Sequence, residues 1–329
     1  MNRNLRKLLC ATFCIGLSSL ALAQEHKQLL VAEPGHNVGY LPLYAAIQKG
    51  YFSDLGLDVK VLTMESGSAH TNAVLSGQAF AFIGGPEHNA FAKIKGGELR
   101  SVVNVVDRGN VYYMAAPGKE PKPGEDLASY FKGKTIAVSS YGGTPNSITR
   151  YLLKKWNLND KTDVTLQEVP TSAVPVTVKT GKAQIGVGGE PAITQGIKQG
   201  FWSEPFYKIP RELGPYAYST INVRLDAIQK DPETVRKFVA ATVKGLAFVY
   251  ADPEEAAKMA RKEFPTMDLD DLKATLDRYF ADEMWSKDGS ISAQSWDTAK
   301  AVVLQAGLLK QDVAYDQIID TQFLKSLSN

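Results

Sequence analysis

Three histidines, His36, His70 and His88, fall in successive stretches of this 329-residue chain that read as loops. Imidazole can ligate zinc or act as a general base. The spacing supports neither role, because there is no His-x-His pair or histidine-rich loop, and both cysteines, Cys10 and Cys14, sit in an N-terminal apolar run. Hydrogen bonding or loop packing is therefore preferred, and no metal and no cofactor is expected. Two carboxylates, Glu87 and Glu190, follow the matching pairs Gly84-Gly85 and Gly188-Gly189. They either favour the dipole of a first helical turn or reach a ligand. As ligand contacts they would repel a small anion such as nitrate and suit an amine or a protonated ring. The glycine pairs themselves make tight turns, contact a ligand, or both. Tyr40, Tyr44, Tyr141, Tyr216 and Tyr218 can stack on a flat ring or clasp a cation, or simply pack with their hydroxyls paired. Arg108 can pair with a ligand carboxylate, sulfonate or phosphate, or bridge two lobes. Asn37, Asn89 and Asn146 suit polar contacts, turns or caps. No Gly-x-Ser-x-Gly occurs and no nucleophile–base pair stands out, so binding without chemistry is expected.

The elements that must position these residues alternate. Leu29 to Ala32 reads as a strand feeding a loop at Glu33 to Asn37, followed by a helix with Pro42 in its first turn and Gly50 at its end. Leu57 to Leu62 is a strand, Thr71 to Leu75 a helix ended by Gly77, and Ala79 to Ile83 an apolar run of the kind found in buried parallel strands. The order recurs with a strand at Thr135 to Val138, a helix from Pro145 to Trp156, and a strand at Val164 to Val169. Ser76-Gly77-Gln78-Ala79 through Gly84-Gly85 aligns without gaps with Thr180-Gly181-Lys182-Ala183 through Gly188-Gly189, 104 positions on, and Gly96 and Gly200 keep that offset. A duplicated βαβαβ unit explains the spacing, which predicts two similar α/β lobes with parallel strands. After Asn222 helices follow alone. They start at Asp231-Pro232-Glu233, at Asp252-Pro253-Glu254-Glu255, before Leu269 and after Ser292, and Gly307 stops the last.

Arg3, Arg6 and Lys7 precede an apolar run from Leu8 to Leu22 that ends in Ala21-Leu22-Ala23, the pattern of a secretory signal cleaved after Ala23. The run is short for a membrane-spanning helix and is broken by Ser18 and Ser19. Loss of its three basic residues takes the formal charge of +2 to about −1, and no Lys/Arg block remains to neutralise phosphates. No nucleic-acid partner is expected.

Several phrases resemble the nitrate, sulfonate, taurine and thiamine-pyrimidine-precursor family of periplasmic substrate-binding proteins. They are Tyr40 to Ala46, Lys49-Gly50-Tyr51-Phe52, Gly56-Leu57-Asp58-Val59, Leu127 with Lys132-Gly133-Lys134, Gly188-Gly189-Glu190-Pro191, Asp231-Pro232 and Asp252 to Ala257. Where that family commonly has an aspartate three residues after the helix-ending glycine, this chain has Phe80 and Gln184. The resemblance implies a type-II periplasmic-binding fold whose chain crosses between lobes near Asp107 to Val111 and near Gly214 to Ile221. The expected division is a signal at 1–23, a first lobe at 24–110, a second at 111–216, and a return with C-terminal helices at 217–329. Ligands of open α/β sheets lie beyond the strands' carboxyl ends. The contacts are accordingly expected at Asn37, Tyr40, Tyr44, Ser68, Gly85, Glu87, His88, Arg108, Tyr141, Gly143, Thr144, Glu190 and Tyr216. The implied protein is a periplasmic monomer. It captures a small polar organic molecule (amine-bearing, heteroaromatic, sulfonate or carboxylate) by lobe closure and hands it to an inner-membrane ABC permease with its cytoplasmic ATPase. The alternatives are a pyrimidine-precursor-related enzyme on the same fold, whose cysteine-rich motif this chain lacks, or a subunit presenting ligand to a sensor.

Overall fold

A computed structural model describes residues 26–65 and 68–327. The expected signal segment lies outside these residues.

Among the described residues ten strands form two five-stranded sheets. The first contains β1 (Lys27–Glu33), β2 (Leu57–Thr63), β3 (Ala81–Gly84), β4 (Leu99–Arg108) and β10 (Pro215–Arg224) in the order β2-β1-β3-β10-β4. The second contains β5 (Tyr112–Ala115), β6 (Thr135–Ser139), β7 (Thr165–Val169), β8 (Ile185–Gly188) and β9 (Tyr207–Lys208) in the order β7-β6-β8-β5-β9. β1 runs parallel to β2 and β3, and β6 to β7 and β8. In each sheet the fourth strand is an antiparallel insert, β10 in one and β5 in the other.

The duplication extends to strand pairing, with the register moved by one residue. Val31 stands opposite Ala81 in the first sheet and Ile136 opposite Ile185 in the second, so the offset is 104 residues between Ala81 and Ile185 but 105 between their partners. The helix-ending glycines behave alike as well. Gly77, Gly96, Gly181 and Gly200 all have left-handed backbones, with φ of +80°, +87°, +74° and +66°, a conformation that glycine adopts without steric cost.

The sequence reading places the second crossing at Gly214 to Ile221, yet Pro215–Arg224 is a strand buried along most of its length between β3 and β4. Its Tyr-x-Tyr-x-Thr-x-Asn alternation looks half-polar, but both faces are covered, and Thr220 and Asn222 satisfy their side chains within a buried network with Ser101 and Asn89.

The C-terminal helices start where their caps predict. Asp231, Asp252, Asp268 and Ser292 each accept from the backbone N–H three residues on. The helix Pro232–Ala251 packs on Leu41–Gln48 so closely that a Cβ on Gly245 would lie 2.1 Å from the Pro42 carbonyl oxygen. Two other helices tie the sheets together. Ala293–Gln305 lies against both β10 and the second-sheet helix Thr144–Lys155. Leu269–Ala281 lies against Ala192–Lys198, where Lys198 pairs with Asp268 and Asp271 at 2.6 Å each.

Candidate ligand cleft

Between the carboxyl ends of the two parallel strand sets lies a cavity of about 320 Å³. Its first-sheet wall comes from the loop after β1 (Pro34 to Asn37, with Tyr40), the turn after β3 (Gly84, Gly85, His88), His70, and Tyr218 with Ser219 on β10. Its second-sheet wall comes from Ser139, Ser140 and Gly143 to Pro145 after β6, Thr171, Ser172, Val174 and Pro175 after β7, Val187 to Ala192 around the end of β8, and Trp202. Matching loops thus meet face to face, as the duplication requires.

The walls are joined across the cleft. Thr144 Oγ1 donates to Glu87 Oε1 at 2.6 Å, Ser172 Oγ to Glu65 Oε2 at 2.6 Å, and the Val38 N–H to the Glu190 carbonyl oxygen at 3.3 Å. This is a closed arrangement. Near the first crossing, Asn110 Oδ1 accepts from the Tyr279 hydroxyl at 2.8 Å, and that hydroxyl accepts from the Glu190 N–H at 3.0 Å. A side chain at Gly189 would collide with Asn110, so the second glycine of that pair serves close packing, whereas Gly188 has open space beside its Cα.

Of the expected contacts, Asn37, Tyr40, Gly85, His88, Gly143, Thr144 and Glu190 line the cavity together. The other six do not. Tyr44 is buried with its hydroxyl donated to Glu33. Ser68 stands before the helix Ala69–Leu75 without lining the space. Arg108 pairs with Asp107 at 3.2 Å and Glu283 at 2.8 Å, both on the first-sheet side, so it neither reaches the space nor bridges the lobes through these pairs. Tyr141 points outward, 59% exposed, with the Arg150 guanidinium over its ring. Tyr216 is fully buried behind Tyr218, and Glu87 is fully buried behind Gly85, its Oε1 reaching only Thr144. Glu190 lines the space, but its carboxylate accepts from Thr194 N–H (3.0 Å), Thr194 Oγ1 (2.9 Å) and Arg278 Nε (2.9 Å), so its charge serves the fold.

The cavity also gathers residues absent from that expectation, among them Asn110, Ser139, Thr171, Ser172 and Trp202. Ser172 is the counterpart of Ser68 at the 104-residue offset, so the duplication itself carried a signal for it. Trp202 had none. It is held by Nε1 donation to the Ile193 carbonyl oxygen at 3.1 Å and by close approach to Gly186 and Gly196, contacts that no local spacing announces.

Six rings, His36, Tyr40, His70, His88, Trp202 and Tyr218, are among the lining residues, beside amides, hydroxyls and the carboxylates Glu65 and Glu190. Among the described residues no lysine or arginine lines the space. Burial lowers the His88 pKa to about 4, so it is a neutral ring. Burial also opposes protonation of His36, but Glu33, 3.0 Å from Nδ1, and Glu263 outweigh it and raise its pKa. Any charge on His36 is thus already paired. The His36 ring lies between Tyr44 and Phe264 at centroid distances of 4.8 and 4.7 Å. Among the described residues Asn37 Oδ1 and Ser139 Oγ, buried atoms of one lining residue from each wall, have no hydrogen-bond partner. Among the described residues no cluster of three or more His, Cys, Asp or Glu side chains is arranged to hold a metal ion, and no helix is long and apolar enough to cross a membrane.

Comparison with known proteins agrees with this geometry. The alkanesulfonate-binding protein SsuA of Xanthomonas axonopodis pv. citri, solved bound to MOPS, superposes with a TM-score of 0.73 at 15% identity, covering 90% of this chain and 99% of that one. The fold is therefore that of periplasmic binding proteins. The riboflavin-binding protein RibY of Chloroflexus aurantiacus is 26% identical over 304 residues, 88% of this chain and 83% of its own. The 4-amino-5-hydroxymethyl-2-methylpyrimidine phosphate synthase THI13 of Saccharomyces cerevisiae is 28% identical over 232 residues, 67% of this chain and 66% of its own. The family model described as NMT1/THI5 like matches residues 37–256, most of the cavity-bearing chain, and the protein belongs to that family.

Proposed function

We propose that this protein is the extracytoplasmic solute-capture subunit of an ABC import system, and that its solute is an uncharged or weakly basic planar ring compound. Residues 26–110 with 215–327 act as one jaw and 111–214 as the other, because Pro215 and Tyr216 belong to β10 of the first sheet. The observation that carries the reading is the closed, ring-lined cavity between the two sheets with no lysine or arginine in its lining. A sulfonate or nitrate held there would lose its hydration with no side-chain cation to replace it. A flat heterocycle finds faces to stack on, and Asn37 and Ser139 at its edges. RibY, which binds riboflavin, is a relative whose ligand has this character.

A thermal-shift panel of riboflavin, aminopyrimidines, taurine, alkanesulfonates and nitrate tests the proposal. At a ligand concentration about 100-fold above Kd, binding to the folded state alone adds roughly 2.7 kcal/mol, a rise of several degrees in Tm. Ring compounds should give that rise and the anions should not. Stabilisation by nitrate or taurine with none from any ring compound would overturn the ligand class. The relation to THI13 makes catalysis the second reading. Mass spectrometry of the ring compound recovered after incubation separates the two, since capture returns it unchanged.

A further inference from the structure

Glu87 opens the short helix Glu87–Lys93 after β3 of the first sheet, and Thr144 opens the helix Thr144–Lys155 of the second. Their 2.6 Å hydrogen bond is one of the few side-chain contacts that exist only while the two walls of the cleft are together. The Glu87 side chain is fully buried, and its second oxygen, Oε2, has no hydrogen-bond partner. Among the described residues no lysine or arginine forms an ion pair with it. The titratable groups around it include Tyr216 and Tyr218 on β10, Tyr40 from the turn Val38–Tyr40, and His88 beside it on its own helix, with His70 packed on His88 at a ring-centroid distance of 4.6 Å. All three tyrosines are held neutral by burial, with pKa values raised above 10, and His88 is neutral, so none of these four compensates a negative charge.

We propose that Glu87 is a proton-operated latch: closing the lobes buries its carboxyl against Thr144 and favours the protonated acid, so closure takes up a proton and capture tightens in acid. The proposal rests on the lobe-closure reading above but not on the identity of the solute. Burial pushes the Glu87 pKa from 4.5 up to about 7 in the closed form, against the opposing pull of the Thr144 hydroxyl. Opening removes Thr144 and admits water, returning the group toward its ordinary range. Between pH 4.5 and about 7 the open form is then ionised and the closed form protonated. The closed-to-open ratio falls with rising pH across that window, by at most about tenfold per unit, and is flat on either side.

The test needs no ligand. Spin labels on cysteines replacing Leu62 and Val176, both exposed and on opposite sides of the cleft mouth, report the distance between the lobes by double electron–electron resonance. Neither native cysteine competes in chain lacking the N-terminal apolar run. The short-distance population of the otherwise native protein should be larger at pH 5 than at pH 8. With Glu87→Gln it should be the same at both, which separates Glu87 from the cavity histidines His36 and His70. Thr144→Val, which keeps the volume and removes the hydroxyl, should shrink the short-distance population at pH 5. A distribution unchanged between pH 5 and 8, or a pH response that survives Glu87→Gln, overturns the latch. Riboflavin binding or its failure to bind leaves this outcome untouched, so the two proposals fail separately.

Discussion

At the scale of single residues, Glu87 and Glu190 look equivalent in the chain, each closely following a Gly-Gly pair, but their surroundings differ. Glu190 meets Arg278 and the start of its own helix, while Glu87 meets one hydroxyl and otherwise apolar or neutral groups. Burial raises the Glu190 pKa, but the Thr194 backbone and Arg278 pull it back, leaving a carboxylate whose charge is used structurally. Replacing Glu190 with Gln should therefore act on stability before affinity. An amide cannot pair with the Arg278 charge, and its NH2 would face the Thr194 donors. The expected cost is roughly 2–3 kcal/mol, read as a fall in Tm without ligand. A stability equal to that of the native protein would return Glu190 to the list of free ligand contacts.

At the scale of elements, the helix Pro232–Ala251 determines how the C-terminal region sits on the first sheet. Its close seat on Leu41–Gln48 depends on Gly245, because any Cβ there meets backbone rather than a movable side chain. Gly245→Ala should lower stability by about 1–3 kcal/mol through overpacking, despite the better helix propensity of alanine. Urea unfolding checks this, with a lower midpoint at an unchanged slope. A stabilised variant would show that the two helices can separate freely. The turn before Leu41–Gln48 carries Tyr40, a lining residue, so this contact also bears on the cavity wall.

For the molecule as a whole, two sheets meeting across a cavity make one buried carboxyl a term in global stability. Because the Glu87 pKa is raised in the folded form, its favourable contribution is complete below pH 4.5 and is lost as pH climbs toward 7. The full shift corresponds to at most about 3 kcal/mol. Glu87→Gln should consequently melt several degrees above the native protein at pH 8 and level with it at pH 4. A constant difference across that range would mean that Glu87 is solvated in the folded protein.

Much of this architecture was legible in local spacing. Strand–helix alternation, the helix caps at Asp231, Asp252 and Ser292, and the repeat ending in Gly188-Gly189 all depend on residues a few positions apart, whose hydrogen bonds and backbone preferences need no distant partner. Seven of the expected contacts came together at the cavity because a duplicated unit must present the same loops at the same strand ends. What local spacing could not show was which face each side chain turns inward. β10 is inserted into a sheet whose other strands lie more than a hundred residues earlier, and that insertion puts Tyr218 in the cavity and Tyr216 behind it. Likewise Arg278, arriving from a C-terminal helix, occupies the Glu190 carboxylate, and no such cation reaches Glu87. Those outcomes are set by long-range packing, where side chains from distant parts of the chain compete for the same buried space and charge.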